Sequence, residues 1–371
     1  MSPSRSRTGT AELPLHDGKA PAWLFGRMKL LAREIVVFLA EEFGRDDVLR
    51  RLSDPHWFQA FGCVLGFDWH SSGVTTTVTG ALKEGLRGLE HDLGLYVAGG
   101  KGATSRKTPG EIAAACERLG RDPQPLVRAS KLSAKVDNSA VQSGHQLYHH
   151  AFVFTADGRW CVVQQGMNGE TRSARRYHWL SDHVASFVEE PQSAVCDDRR
   201  GVIANFVADE SAGVRSAAVE LATAPPAETM KEVDRVARLV MPRRHELQLS
   251  DVNPRYLDRI LLKTYERAPR DFEELLGIEG VGAKTLRSLA LVAELVYGTE
   301  TSTRDPARYA FAHGGKDGTP FPVDRATYDK TISVLERALN AAHVDRSERV
   351  KAFRRLAKLG ETPQSAAASR S

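Results

Sequence analysis

The feature that most constrains this chain is a glycine-bounded turn between two short helical segments, within residues 271–290. Acidic residues in capping-box spacing begin the first segment. The second repeats leucine and alanine at helical intervals and is predicted to end near Gly298. Between them Gly280, Val281 and Gly282 turn the chain so that backbone N–H groups point outward at a helix N-terminus. Such a turn can bind an anion without positive side chains. An ordinary glycine-capped turn between two helices is the alternative.

This pattern resembles the helix-hairpin-helix motif, which clamps the phosphate backbone of DNA. The resemblance includes both glycines, the hydrophobic residue between them and the flanking leucines. It implies that the chain contacts DNA phosphates through Gly280, Val281, Gly282, Lys284 and Thr285.

A second motif follows at Pro322-Val323-Asp324. Together with the turn it resembles the helix-hairpin-helix DNA glycosylases, in which a Gly-Val-Gly-x-Lys hairpin precedes Pro-Val-Asp at the start of another helix. The resemblance implies that Lys284 attacks the sugar carbon and that Asp324 assists. Judged from the residues alone, Lys284 also fits a solvated lysine at a helix start. Asp324 equally fits the N-cap of a helix over residues 325–342.

A loop rich in glycine precedes this motif. Three glycines within five residues allow a ligand to approach the backbone closely, and charged groups stand beside them. We interpret it as a substrate loop next to Asp324, with a flexible turn as the alternative. The loop runs from His313 to Gly318, and its predicted site residues are His313, Gly314, Gly315, Lys316 and Asp317.

Bulk composition limits the class of protein. The 371 residues carry a net charge of only +4, so a DNA-binding surface must be a local patch. No apolar run is long enough for a membrane span, and no secretory signal is predicted. The sequence predicts a cytoplasmic protein, associated with the nucleoid if it binds DNA. The cysteines form no CxxC pair, which argues against zinc or iron–sulfur sites; they are Cys63, Cys116, Cys161 and Cys196.

The predicted fold class is α+β, with an N-terminal mixed α/β domain containing a small sheet and an all-helical domain containing the hairpin. Helical periodicity predicts a helix over Ala22–Phe43. The pair Asp157-Gly158 between two apolar runs predicts a β-hairpin. Short strands are expected between Phe61 and Val78, and a glycine loop at residues 97–102. The predicted domains are residues 13–195 and 202–360, with disordered tails at 1–12 and 361–371.

The N-terminal half is also dense in polar and aromatic residues. A Mn or Mg site built from Asp68, His70, Asp137 and either His149 or His150 is chemically feasible. Only one of the two adjacent histidines can join it, because successive strand residues face opposite sides. Recognition of a base by glutamine and asparagine is an equally open alternative. The predicted site residues in this half are Asp68, His70, Lys101, Asp137, His149, Gln164, Gln165, Asn168 and Arg175.

Over residues 12–342 the chain resembles an uncharacterised bacterial and archaeal family, domain of unknown function 763. The resemblance implies no established activity. It is carried by residues 66–73, 164–168, 174–179 and 311–318.

Three functions follow as hypotheses. The first is a DNA-repair enzyme of glycosylase/AP-lyase type that acts on a damaged or unusual base through Lys284 and Asp324 and requires no cofactor. The second is a metal-dependent nuclease that uses Mg or Mn in the N-terminal domain. The third is a DNA-structure-binding protein without catalysis. In each the partner is DNA, and neither a membrane nor a protein partner is predicted.

Overall fold

A computed structural model describes residues 22–66, 73–197, 201–237, 254–308 and 325–360 of the chain. The protein is α+β, with an antiparallel sheet in the middle of the chain and helices at both ends. Within the described ranges no helix is both long and apolar enough to cross a membrane. The helices are α1 (Ala22–Phe43), α2 (Arg45–Ser53), α3 (Pro55–Leu65), α4 (Gly73–Leu86), α5 (Glu90–Leu93), α6 (Thr108–Arg118), α7 (Gln124–Lys135), α8 (Ala212–Thr223), α9 (Pro226–Ala237), α10 (Pro254–Arg267), α11 (Phe272–Gly277), α12 (Ala283–Tyr297), α13 (Arg325–Ala341) and α14 (Arg346–Gly360).

The main sheet has five antiparallel strands in the order β1-β3-β4-β5-β6. The predicted hairpin at Asp157-Gly158 is confirmed: it joins β3 to β4, and Gly158 has φ +93°, a conformation that favours glycine. A smaller ladder pairs β2 with β7. The strands are β1 (Leu95–Lys101), β2 (Val141–Gln142), β3 (Gln146–Thr155), β4 (Trp160–Asn168), β5 (Ser173–Leu180), β6 (Ala194–Cys196) and β7 (Ala204–Asn205).

A hydrophobic core lies on each face of the main sheet. On one, which we call the α1 face, Val153 and Val163 pack in a core with α1–α4, α13 and α14. On the other, the α7 face, Phe152 and Trp179 pack in a core with α6–α12. The helix predicted over Ala22–Phe43 is confirmed, and it ends at Phe43 as predicted. The predicted division near residues 195–202 stays a prediction, and each core contains residues from both sides of it.

The strands expected between Phe61 and Val78 are wrong, because the described parts of this span are the end of α3 and the start of α4. Gly62 explains the error. A Cβ at this position would lie 3.0 Å from Cγ1 of Val74, so the glycine permits close packing of α3 on α4. It is not a turn.

The glycine loop expected at residues 97–102 is also wrong, since most of this stretch belongs to β1. Gly99 pairs with Ala151 and has φ +91°. A Cβ there would collide with the carbonyl oxygen of His150. The glycine therefore marks a close approach between strands rather than a loop.

Candidate functional site

The glycine turn joins α11 to α12, and its shape depends on Gly280. Gly280 has φ +95°, and a Cβ at this position would lie 2.5 Å from Cδ1 of Ile260. Val281 fixes the turn to the protein through its side chain, which is buried in the core of the α7 face. Asp271 caps α11 by accepting a hydrogen bond from the Glu274 amide at 2.8 Å. The backbone of the turn is thus held by the interior.

The N-terminus of α12 presents backbone donors. Its first backbone hydrogen bond runs from the Leu286 amide to the Gly282 carbonyl at 3.0 Å, so the amides of the first turn have no acceptor within the helix. Gly282, the N-cap, supplies no side chain to bind them. One predicted phosphate donor is already used, because the Val281 amide donates to the Ile278 carbonyl at 3.2 Å.

Two further predicted residues stand in the first turn of α12. The Lys284 side chain is exposed, and within the described ranges it forms no ion pair. The Thr285 hydroxyl is buried and has no hydrogen-bond partner among the described residues. The other predicted residues of the hairpin site, Asp324, His313, Gly314, Gly315, Lys316 and Asp317, lie outside the described residues. The pairing of Lys284 with Asp324 therefore stays a prediction.

Lys135, at the C-terminus of α7, holds the carbonyl side of the turn. Its ε-ammonium donates to the carbonyls of Leu276 and Ile278, each at 2.6 Å, and of Val281 at 2.8 Å. Burial lowers the pKa of Lys135 to about 8; the Lys263 charge lowers it further and the Glu279 carboxylate opposes this.

A second side chain acts in the same way as Lys135. The Tyr256 hydroxyl donates to the Gly280 carbonyl at 2.8 Å. No local pattern in the sequence identifies Lys135 or Tyr256, because each contact depends on tertiary packing.

Three ion pairs lie around the turn. Lys263 Nζ lies 3.1 Å from Glu279 Oε2. Glu273 pairs with Arg128, and Glu274 with Arg270. Exposed ion pairs of this kind contribute little net charge or stability, so the local field depends on the unpaired groups. Among the described residues of this turn and α12's first turn, Lys284 supplies the unpaired cation.

Asp137 lies on the α7 face and is fully buried, in the helical turn that follows Lys135. It accepts hydrogen bonds from Trp179 Nε1 at 2.8 Å, from Gln192 Nε2 at 2.7 Å and from the Gln164 amide. Burial raises the pKa of Asp137 to about 7, although these hydrogen bonds to the carboxylate lower it. The carboxylate is satisfied by amide and indole donors, not open to solvent.

A chain of hydrogen bonds extends from Asp137 to α7. His150 Nδ1 lies 2.6 Å from Gln164 Oε1, and His150 Nε2 lies 2.9 Å from Ser130 Oγ. Burial lowers the pKa of His150 to about 4, so the imidazole is neutral near pH 7. Nδ1 then donates to Gln164 and Nε2 accepts from Ser130.

His149 lies on the α1 face, where its Nε2 contacts Thr79 Oγ1 of α4 at 2.9 Å. Burial lowers its pKa to about 3. In register it pairs with Gln165, which pairs with Arg176 on β5. His149 and Asp137 therefore lie on opposite faces and do not share one ligand site. Among the described residues, no three His, Cys, Asp or Glu side chains are grouped to hold a metal ion; Asp68 and His70 lie outside them.

The remaining predicted residues of the N-terminal half have structural partners. Arg175 is buried between Asp197, 2.6 Å from its Nε, and Asp305, 2.8 Å from one terminal nitrogen. Gln165 donates to the Tyr148 hydroxyl at 2.6 Å, and exposed Lys101 lies 5.9 Å from the centroid of the same ring. Asn168 Oδ1 accepts from the amide of Glu170 at 3.0 Å, in the turn after β4.

A comparison with known protein families finds a match over most of the chain. The chain belongs to the family described as protein of unknown function (DUF763), whose profile matches residues 9–323. Two of the stretches that carry the resemblance, residues 164–168 and 174–179, are paired segments of β4 and β5. No curated protein and no solved structure matches the chain.

Proposed function

We propose that this protein binds DNA through the turn between α11 and α12, and that it is a DNA-repair enzyme of glycosylase/AP-lyase type. One observation carries the DNA-binding part. The carbonyls of the turn are engaged by Lys135 and Tyr256, whereas the first-turn amides of α12 and the Lys284 ammonium have no acceptor among the described residues. Amides at a helix N-terminus beside one cation bind a phosphodiester well.

The catalytic part rests on the resemblance to DNA glycosylases. In this proposal the Lys284 amine bonds to the sugar C1′, the bond to the base breaks, and the base leaves with the electron pair. Asp324 takes the proton released from the amine. The target base is flipped out of the duplex while the turn holds the strand.

The rival is a DNA-structure-binding protein without catalysis. The exposure of Lys284 favours it, because a lysine nucleophile is normally activated in a desolvated pocket. Covalent trapping separates the two. Borohydride with an abasic or lesion-containing duplex should give a protein–DNA adduct that Lys284→Ala loses. If the protein binds these duplexes but forms no adduct with any lesion, the result supports the DNA-structure-binding protein.

DNA binding is tested by fluorescence anisotropy with a duplex at several salt concentrations. Removing one phosphate contact should weaken binding. It should also reduce, by about 1, the slope of the logarithm of the binding constant against the logarithm of the salt concentration. We expect this for Lys284→Gln. The control is Lys330→Gln, an exposed lysine on α13, which packs on the α1 face. Equal loss in both variants, or no loss in either, contradicts the assignment.

A further inference from the structure

We infer that Lys135 is a positioning residue for phosphate binding: by holding the Val281 carbonyl it aims the Gly282 amide outward at the DNA strand. This inference rests on the proposed DNA-binding function and adds to it a residue from α7, in the half of the chain that contains the sheet. Lys135 does not itself touch DNA in this arrangement.

The geometry of the peptide bond carries the argument. In a planar trans peptide the C=O and N–H groups point in opposite directions. The Val281 carbonyl points at Lys135 Nζ, 2.8 Å away, so the N–H of Gly282 in the same peptide points to the other side. The Ile278 carbonyl is held by the same ammonium, which likewise directs the Glu279 amide away from Lys135.

Three carbonyl oxygens converge on one ammonium, and this uses all three of its N–H donors. Without the cation, the oxygens of Leu276, Ile278 and Val281 would lose the donor that they share, and their partial negative charges would repel, although the Ile278 oxygen would keep its hydrogen bond from the Val281 amide. The turn would relax by rotating peptides, which turns the Gly282 amide from its outward direction. Lys135 therefore keeps the turn in the binding orientation before DNA arrives.

Titration of Lys135 gives a signature that a merely structural residue would lack. With its pKa lowered to about 8, the group loses a proton within an accessible pH range. A neutral amine has two N–H donors for three carbonyls and no charge. The charged groups that face it are Lys263 of α10 and Glu279 of the turn, and they pair with each other.

The test measures duplex affinity from pH 6.5 to 9.5 at constant ionic strength, with Lys135→Met and the control Lys131→Met. Lys131 is an exposed lysine one turn earlier on α7. We expect wild-type affinity to fall above about pH 8, whereas Lys135→Met should be about tenfold weaker at pH 7 and nearly flat with pH. That loss corresponds to 1.4 kcal/mol. Lys131→Met should follow the wild type.

Circular dichroism and the unfolding midpoint establish that Lys135→Met is folded. If it is not, amide NMR of the wild type replaces it, and the Gly282 amide shift should then titrate near pH 8. Two results overturn this inference while leaving the proposed function intact. In the first, the wild type binds DNA and Lys135→Met has the same affinity and pH profile. In the second, the Gly282 amide shift does not titrate. If the wild type binds no duplex, the proposed function itself fails.

Discussion

The ε-ammonium of Lys135 donates to the backbone carbonyl of Val281 at 2.8 Å, across a separation of 146 positions in the chain. This contact fastens the glycine turn to the end of α7, two residues before buried Asp137. The turn is thus a fixed part of the folded protein and not a loose loop. Its carbonyls point to Lys135 and Tyr256, and Lys284 in the first turn of α12 is exposed.

Gly280 and Gly282 should respond differently to alanine. Gly280→Ala places a Cβ at φ +95° and 2.5 Å from Ile260, so we expect a loss of about 1–3 kcal/mol in unfolding free energy. Gly282→Ala places its Cβ in open space, on an extended backbone, and should cost less than about 1 kcal/mol. Urea unfolding measures both. Similar losses would show that the turn is not shaped as described.

The pH dependence of stability should carry the signature of Asp137. Its pKa is about 7 in the folded chain, against 3.8 for an ordinary aspartate. Between these values the folded state binds more protons than the unfolded state. The contribution of Asp137 to stability is therefore full below about pH 4 and is lost as the pH rises through 7.

Urea unfolding from pH 4 to 8 checks this, with Asp137→Asn as the variant. The asparagine cannot titrate, and the Gln192 amide can reverse to donate or accept as needed. We expect the decline in stability across this range to be smaller in the variant. The same slope in both proteins would contradict the raised pKa.

Arg175 should behave as a structural residue and not as a DNA contact. It is buried between Asp197 and Asp305, so Arg175→Met removes the guanidinium that these two buried carboxylates share. Breaking a buried pair in this way costs about 3–5 kcal/mol. Thermal unfolding should show the loss. A stable variant whose only defect is weaker DNA binding would assign Arg175 to the DNA surface instead.

The sequence predicted those helices and strands that neighbouring residues determine. The apolar spacing of Ala22–Phe43 predicts α1, and Asp157-Gly158 predicts the hairpin of β3 and β4. The predictions were wrong where a glycine allows close packing and does not form a turn or loop. Gly62 and Gly99 permit close contact with a neighbouring helix and a neighbouring strand, and spacing alone does not distinguish that use from a turn.

The candidate site was predictable only in part, for the same reason. Gly280 and Gly282 are visible as a motif, and the structure places both in a turn at a helix N-terminus. Lys135 and Tyr256, which hold that turn, carry no local signal. Burial also gives a structural role to residues that were predicted to bind a ligand, such as Arg175. A polar side chain in a strand can point into the protein core, and the sequence does not show that it does.

The most direct test of DNA binding by the turn compares Gly282→Asp with Gly282→Asn. A Cβ at this position meets no atom within 4 Å, and both residues cap a helix N-terminus well, so we expect the two proteins to be equally stable. They differ in charge at the point where a phosphate would sit.

The measurement is duplex affinity of the two variants at low salt. We predict that Gly282→Asp binds at least about fivefold more weakly than Gly282→Asn, because like charges about 4 Å apart repel by about 1 kcal/mol even in water. Equal affinities in the two variants, with both folded, would contradict phosphate binding by this turn.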